Sequence, residues 1–361
     1  MEQSVNPVDV LQYIPQPAFL VKEGMIINTN HAAQKFQITL GTQVKDIITQ
    51  GAEDYAAFHS GKMYLQLICG PAWVSAYDQC HLFCMEESYS SPELRAFALA
   101  AQHLRMPLSS AVSNMELIAE NKIIHQDPQL QQQLGQLNRS LYQMIREICN
   151  MSDVSQLGAA YNTKLAVQNV TAVFEEYFEK AASYSLEHGH TLNFKNLKQY
   201  VESAIDRQLL ERAVLNLISN AVKFSPEGSE IRATLKKSEN RLILTVENSL
   251  SANQFGLAEN TFSRFLREPG IDTSEAGIGL GMSIISRAIS AHSGTVLLNT
   301  TRRKSAKVTI AIPIKTNIAQ HVESPTLLLG SYTGGFDSYL IELSEILPSC
   351  YYEASSLSPD Q

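Results

Sequence analysis

The spacing of apolar positions changes twice along this chain, and the changes divide it. Between residues 8 and 86, AFLV, GMIINTN, KMYLQLICG and AWVSAYDQCHLFCM mix β-branched and aromatic residues with Gly and Pro punctuation, a pattern that predicts short strands with helical or loop pieces between them. From Ser91 the period lengthens: Leu94, Phe97, Ala101, Leu104, Leu108, Ala111, Met115 and Ile118 recur at alternating intervals of three and four, an a/d seam that predicts one long amphipathic helix. SSPE supplies a helix start, with Ser before Pro and Glu in the first turn. After HQDPQ a second seam runs through Leu130, Leu134, Leu137, Leu141, Met144, Ile148 and Met151. Two such helices predict an αα-hairpin, and the full stripe on each predicts pairing with a second copy in a homodimeric four-helix bundle. A hairpin packed only within its own chain is the alternative.

Residues 160 to 315 alternate helix and strand signals: ERAVLNLISNAVKFS, SEIRATLKKS, RLILTVENS, GMSIISRAISAHSG, TVLLNT and AKVTIAIPI. That order predicts a two-layer α/β sandwich, and with the N-terminal part it gives an α+β chain. The final segment, carrying TLLLGSYTGGFDSYLIELSEILP, predicts one short strand and one short helix without suggesting a role.

Composition narrows the field without naming a function. The 361 residues suffice for two or three domains, 44% are hydrophobic, and the formal charge of −8 argues against non-specific binding to nucleic acid or anionic membrane. The five cysteines include no C-x-x-C pair, so they are read as reduced thiols, with neither a disulfide framework nor a zinc site indicated. Absence of a signal-peptide pattern and of a membrane-length apolar run leads to an expectation of a soluble cytoplasmic protein.

Two stretches carry candidate chemistry. In Asn216-Leu-Ile-Ser-Asn220-Ala-Val-Lys223-Phe224, residues four apart share a helix face, so two amides and a lysine stand within an apolar segment. Amide oxygens suit a hard cation such as Mg²⁺ and the lysine suits phosphate, although taken alone the asparagines read more readily as capping or core-bonded groups. In Glu275-Ala-Gly277-Ile-Gly279-Leu280-Gly281-Met-Ser, three glycines at alternate positions open a helix, where backbone and helix N-terminus suit a phosphate. The spacing does not fit a dinucleotide fingerprint.

In this order the two stretches resemble the N box and second glycine box of the GHKL ATPase domain of histidine kinases, and TFSRFLRE between them is similar to the F box, with Phe262 and Phe265. The heptad hairpin resembles that family's dimerisation and phosphoacceptor domain, and IPQPAFLVKEGMIINTNHAAQKF is similar to PAS sensor domains. The resemblance implies a PAS-like sensor domain over residues 1–88, a helical hairpin over 89–158, a GHKL-type ATP-binding domain over 159–316 and a tail over 317–361. It further implies ATP and Mg as cofactors: Asn220 would hold Mg²⁺, Asn216 and Lys223 would line the phosphate side, and the backbone at Gly277, Gly279, Leu280 and Gly281 would wrap the triphosphate. Phe224 and Asn248 complete the implied nucleotide set. Partners would be a second copy, a response regulator, and an unidentified small-molecule or protein signal at the PAS-like domain.

Three departures matter. Asn216 stands where ATP-hydrolysing relatives have a glutamate, so futile hydrolysis is expected to be slow. At the first glycine box, Asn248, Leu250 and Ala252 replace the Asp-x-Gly-x-Gly pattern, leaving a neutral acceptor for adenine and weaker binding. At the phosphoacceptor motif, Leu104-Arg105-Met106-Pro107 sets a register that puts Gln102 at the reactive histidine's position and His103 at its acidic neighbour's. Alternatively, counting from Phe97 makes His103 the acceptor with one residue deleted. The unbroken seam through Ala101, Leu104 and Leu108 favours the first register, because a deletion would rotate everything beyond it by about 100°. The expected protein is therefore a degenerate histidine-kinase-like signalling protein, with an active kinase using His103 and a nucleotide-free dimeric scaffold as rivals. His292, before Ser-Gly, is expected at a helix C-terminus as a partly charged ring.

Overall fold

The computed structural model describes residues 11–353 except 12–13, 37, 78, 87–91, 120, 122–125, 156–162, 185, 251–279, 302–304 and 317–334. Near the N-terminus, β1 (Ala18–Lys22) and β2 (Met25–Thr29) form a hairpin. Its turn places Glu23 and Gly24 at φ 51° and 76°, the left-handed pair that suits strand twist. Helix α1 (His31–Gln34) follows, then β3 (Ile48–Gln50), α2 (Ala52–Ala56) and a meander of β4 (Lys62–Leu67), β5 (Gly70–Tyr77) and β6 (Cys80–Met85). β6 returns beside β1, giving the order β2-β1-β6-β5-β4. Phe19, Val21, Leu65, Val74 and Phe83 point into its main core.

Two 28-residue helices come next, α3 (Pro92–Ala119) and α4 (Pro128–Ser155), packed on each other. α3 buries Ala101, Leu108 and Val112, while Leu104 and Ile118 of the same seam are at least half exposed. On α4 the seam residues Leu137 and Met144 are also half exposed. The deeply buried face of α4 is a different one, carrying Asn138, Tyr142, Ile145 and Cys149, about 100° around the helix from Leu141. Within one chain the a/d stripe is thus only partly covered. The side chains of Leu94, Phe97 and Gln102 lie outside the described residues.

The second layered unit contains β7 (Ala166–Asn169), α5 (Val170–Ser183), β8 (Thr191–Lys195), β9 (Glu202–Ile205), α6 (Arg207–Lys223), β10 (Glu230–Ser238), β11 (Arg241–Ser249), α7 (Gly281–Ala291), β12 (Thr295–Thr301) and β13 (Ser305–Pro313). Strand order is β12-β13-β11-β10-β8, antiparallel except for the parallel β10–β8 pair, with β7 and β9 pairing separately. Alternation along β10 and β11 turns Ile231, Ala233, Leu235, Leu242, Leu244 and Val246 onto one face. There they meet the apolar stripes of α5, α6 and α7.

The sequence pattern treats these two sheets as separate units, but β4 pairs antiparallel with β12, making one sheet of eleven strands among the described residues. Tyr64 stands opposite Val296, Met63 opposite Leu297 and Lys62 opposite Leu298. Asp54 of α2 accepts from Thr295 Oγ1 at 2.6 Å and pairs with Arg241.

After residue 334 the chain returns with α8 (Ser338–Glu342), capped by Asp337, whose Oδ1 accepts from Tyr339 N at 2.7 Å, and then a 3-10 turn at Ser349–Tyr352. Tyr339, Ile341, Leu343, Leu347 and Tyr352 are at most 2% exposed, wedged between α4 and the α5–α6 layer. The short strand expected at TLLLG lies outside the described residues. No helix among the described residues is long and apolar enough to cross a membrane.

Candidate nucleotide site

Helix α6 starts at Asp206, whose Oδ1 accepts from Leu209 N at 3.2 Å, and its apolar residues bury it against the sheet. Asn216 is consequently fully buried, where an amide must be paired. Its Nδ2 donates to Arg212 O at 2.9 Å and to Glu342 Oε2 at 3.0 Å, and its Oδ1 accepts from Arg146 Nη2 at 3.4 Å. One turn on, Asn220 is half-buried and makes no side-chain hydrogen bond among the described residues. Lys223, a turn further, pairs with Glu345. Phe224 caps the helix, its N–H donating to Asn220 O at 3.1 Å.

The glycine-rich turn approaches this face. A Cβ placed on Gly281 would stand 3.2 Å from Asn216 Oδ1 and 3.4 Å from Asn220 Nδ2. Two motifs some sixty residues apart therefore meet, and only a glycine leaves the space open. Leu280 immediately precedes α7, whereas Gly277, Gly279, Ala252, Phe262 and Phe265 lie outside the described residues. Asn248 sits at the end of β11, where its Nδ2 donates to Ser225 Oγ at 3.1 Å and Ser249 O at 2.9 Å. This fixes the amide with its oxygen as the remaining acceptor. Leu250 is buried.

Four residues not foreseen from sequence complete the cluster. Glu342, fully buried, accepts from Arg212 Nε at 2.8 Å and lies 3.5 Å from Arg146 Nε. Glu345 pairs with both Arg146 and Lys223. Burial alone would raise the Glu345 carboxyl, but the cations Arg146 and Lys223 outweigh it and hold it below its ordinary value. Burial lowers Lys223, with Glu345 opposing that shift. Arg212, one turn before Asn216 on the same face, was legible as a candidate from its spacing. Arg146, Glu342 and Glu345 carry no local signal, because they arrive from α4 and the C-terminal segment.

His103 lies exposed on α3, about 200° around the helix from buried Ala101. The partly charged ring expected at His292 is corrected: it caps α7 but is 3% exposed, its Nε2 accepts from Asp206 N at 2.9 Å, its Nδ1 donates to Ala288 O at 2.6 Å, and burial lowers its pKa.

In this α/β sandwich an asparagine-bearing helix faces the glycine turn that opens the next helix. Residues 205–316 match the sequence model of the histidine kinase-, DNA gyrase B-, and HSP90-like ATPases. Sensor histidine kinase YvrG of Bacillus subtilis is 26% identical over 215 residues, covering 57% of this chain and 36% of that protein. Sensor histidine kinase WalK of the same organism is 25% identical over 239 residues, covering 64% and 38%. The chain thus spans little more than a third of these relatives' length. Among solved structures, full-length ShkA in complex with AMPPNP has a TM-score of 0.47 at 21% identity, covering 62% of this chain and 47% of that one. Residues 205–316 thus match the GHKL-type ATPase domain, and over a longer stretch the chain is similar to sensor histidine kinases.

Proposed function

We propose that this protein is a cytoplasmic two-component-type signalling protein that binds Mg·ATP in its GHKL domain but does not autophosphorylate at the family's usual position. The observation that carries the nucleotide reading is the approach of Gly281 to Asn216 and Asn220, with the Asn220 amide free among the described residues. The described residues fit the cofactor: Asn220 offers a hard oxygen for Mg²⁺, Lys223 a cation for phosphate, Asn248 an acceptor for the adenine amine, and Leu280 and Gly281 backbone for the phosphates. Bound Mg·ATP would supply an activated phosphoryl group. Gln102, whose amide nitrogen is non-basic, occupies the usual acceptor position, so the output is conformational.

Residues 1–88 act as a PAS-like sensor in this reading, and residues 89–158 as the dimerisation hairpin. The half-exposed Leu104, Ile118, Leu137 and Met144 support pairing with a second copy. The test is incubation with γ-labelled ATP. No acid-labile, base-stable label is expected; label that disappears in His103→Gln would instead establish an active kinase serving a response regulator.

One observation favours a second reading, a nucleotide-free scaffold: Asn216 and Lys223 are already bonded to Glu342 and Glu345. Titration with Mg·ATP separates the two. Saturable binding lost in Asn220→Ala supports the site, and no binding at millimolar nucleotide supports the scaffold.

A further inference from the structure

The donors that would receive phosphate are held by the chain's own C-terminal segment. Asn216 has two amide hydrogens, and both are spent, on Arg212 O and Glu342. Its oxygen is occupied by Arg146. Lys223 is paired with Glu345. A carboxylate and a phosphate oxygen are both anionic acceptors: the Asn216 hydrogens are already taken, and Glu345 neutralises the Lys223 charge that a phosphate would meet, although the ammonium has three N–H donors.

The segment is held there by an extended set of contacts. Arg139 of α4 donates through Nε to Ser344 O at 2.9 Å and through Nη2 to Glu345 O at 3.1 Å, and Gln143 Nε2 reaches Ser344 O at 3.1 Å. Asn138 Nδ2 donates to Tyr352 O at 3.1 Å. Beneath these bonds lie the buried Ile341, Leu343 and Leu347. The same residues that meet α6 therefore also fasten it to α4.

We propose that the face of α6 bearing Asn216 and Lys223 is a docking site for residues 337–352, whose Glu342 and Glu345 take the place of nucleotide phosphates, so that segment and nucleotide bind in competition. Release of the segment frees the phosphate donors and unlocks the ATPase domain from the hairpin in one step, which links nucleotide occupancy to the arrangement of α3 and α4. This inference rests on the nucleotide reading above.

The test is titration of the full chain and its Glu345→Gln variant with a fluorescent ATP analogue and Mg²⁺, together with hydrogen exchange of the parent with and without Mg·ATP. Glu345→Gln is expected to bind at least tenfold more tightly, since it removes the segment's negative charge that pairs with Lys223. Nucleotide is expected to speed exchange at the amides of residues 343–347 by at least tenfold. If both proteins bind with equal affinity, or the amides stay as protected when nucleotide is bound, the competition is overturned while the nucleotide site stands. If neither binds at millimolar concentration, both the competition and the nucleotide reading fall.

Discussion

Tyr64 of β4 stands opposite Val296 of β12, and through that pair the N-terminal sheet continues into the sheet of the ATPase domain. Tyr64 also packs against Trp73, and its hydroxyl reaches Glu86 Oε2 at 3.4 Å, while Trp73 Nε1 donates to Glu86 Oε1 at 3.2 Å. Burial raises the Glu86 carboxyl, opposed by its Trp73 and Tyr64 hydrogen bonds and by Arg287 on α7. The N-terminal sheet therefore touches the helix that follows the glycine turn directly, without passing through the hairpin.

That seam is sensitive at Gly61, which has φ 88° and faces the Leu298 carbonyl and the Asn299 side chain. Gly61→Val adds both left-handed strain and a backbone clash, and is expected to destabilise the joined sheet by about 1–3 kcal/mol. Calorimetry should show the parent's unfolding split into two transitions, with the N-terminal one at lower temperature. A single unshifted transition would show that the seam does not couple the units.

Glu342→Ala removes the buried carboxylate that accepts from Arg212 Nε, whose side chain is 4% exposed. Breaking a buried pair by removing one partner costs about 3–5 kcal/mol, because the remaining charge is still desolvated. Urea unfolding should report a loss of that order, well above the roughly 1 kcal/mol or less expected for removing the exposed Lys180–Asp337 pair.

Gly135 tests two opposing effects. Alanine in a helix is favoured over glycine by about 1 kcal/mol, yet a Cβ here would stand 2.8 Å from Ser349 O and 2.7 Å from Glu353 Cγ. The glutamate can swing away but the backbone carbonyl cannot, so Gly135→Ala is expected to loosen the C-terminal segment. Limited proteolysis should cut between residues 335 and 353 at least several-fold faster than in the parent.

His292 gives a pH signature. Its folded pKa is depressed by burial, so above the ordinary value of about 6.5 both folded and unfolded rings are neutral and contribute no pH dependence. As pH falls below about 6.5 the unfolded ring takes a proton that the folded one refuses, and stability declines by up to about 1.4 kcal/mol per pH unit until the folded pKa is reached. His292→Gln should flatten that part of the stability profile between pH 6.5 and 5 relative to the parent.

Much of this arrangement was legible because the signals are local. The β10 and β11 alternation, the stripe on α6, and the glycines before α7 are each set by neighbours in sequence, and the N box and second glycine box could be paired from their order alone. The seam on α4 was legible too, but its second buried face was not: Tyr142 and Cys149 read as ordinary helix residues until a partner surface exists for them. His292 was placed correctly at a helix end and given the wrong charge, since desolvation keeps its ring neutral against the opposing pull of Asp206, 86 positions away, and that burial is set by packing rather than by its neighbours in sequence.

By itself the sequence determined the elements and the nucleotide-type motifs, both of which depend on residue type and spacing. Only the tertiary structure decided that β4 would meet β12 and that Glu342 and Glu345 would settle on Asn216 and Lys223. Strand edges and buried charges choose partners by what remains unsatisfied after local structure has formed, and that choice is made across the whole chain.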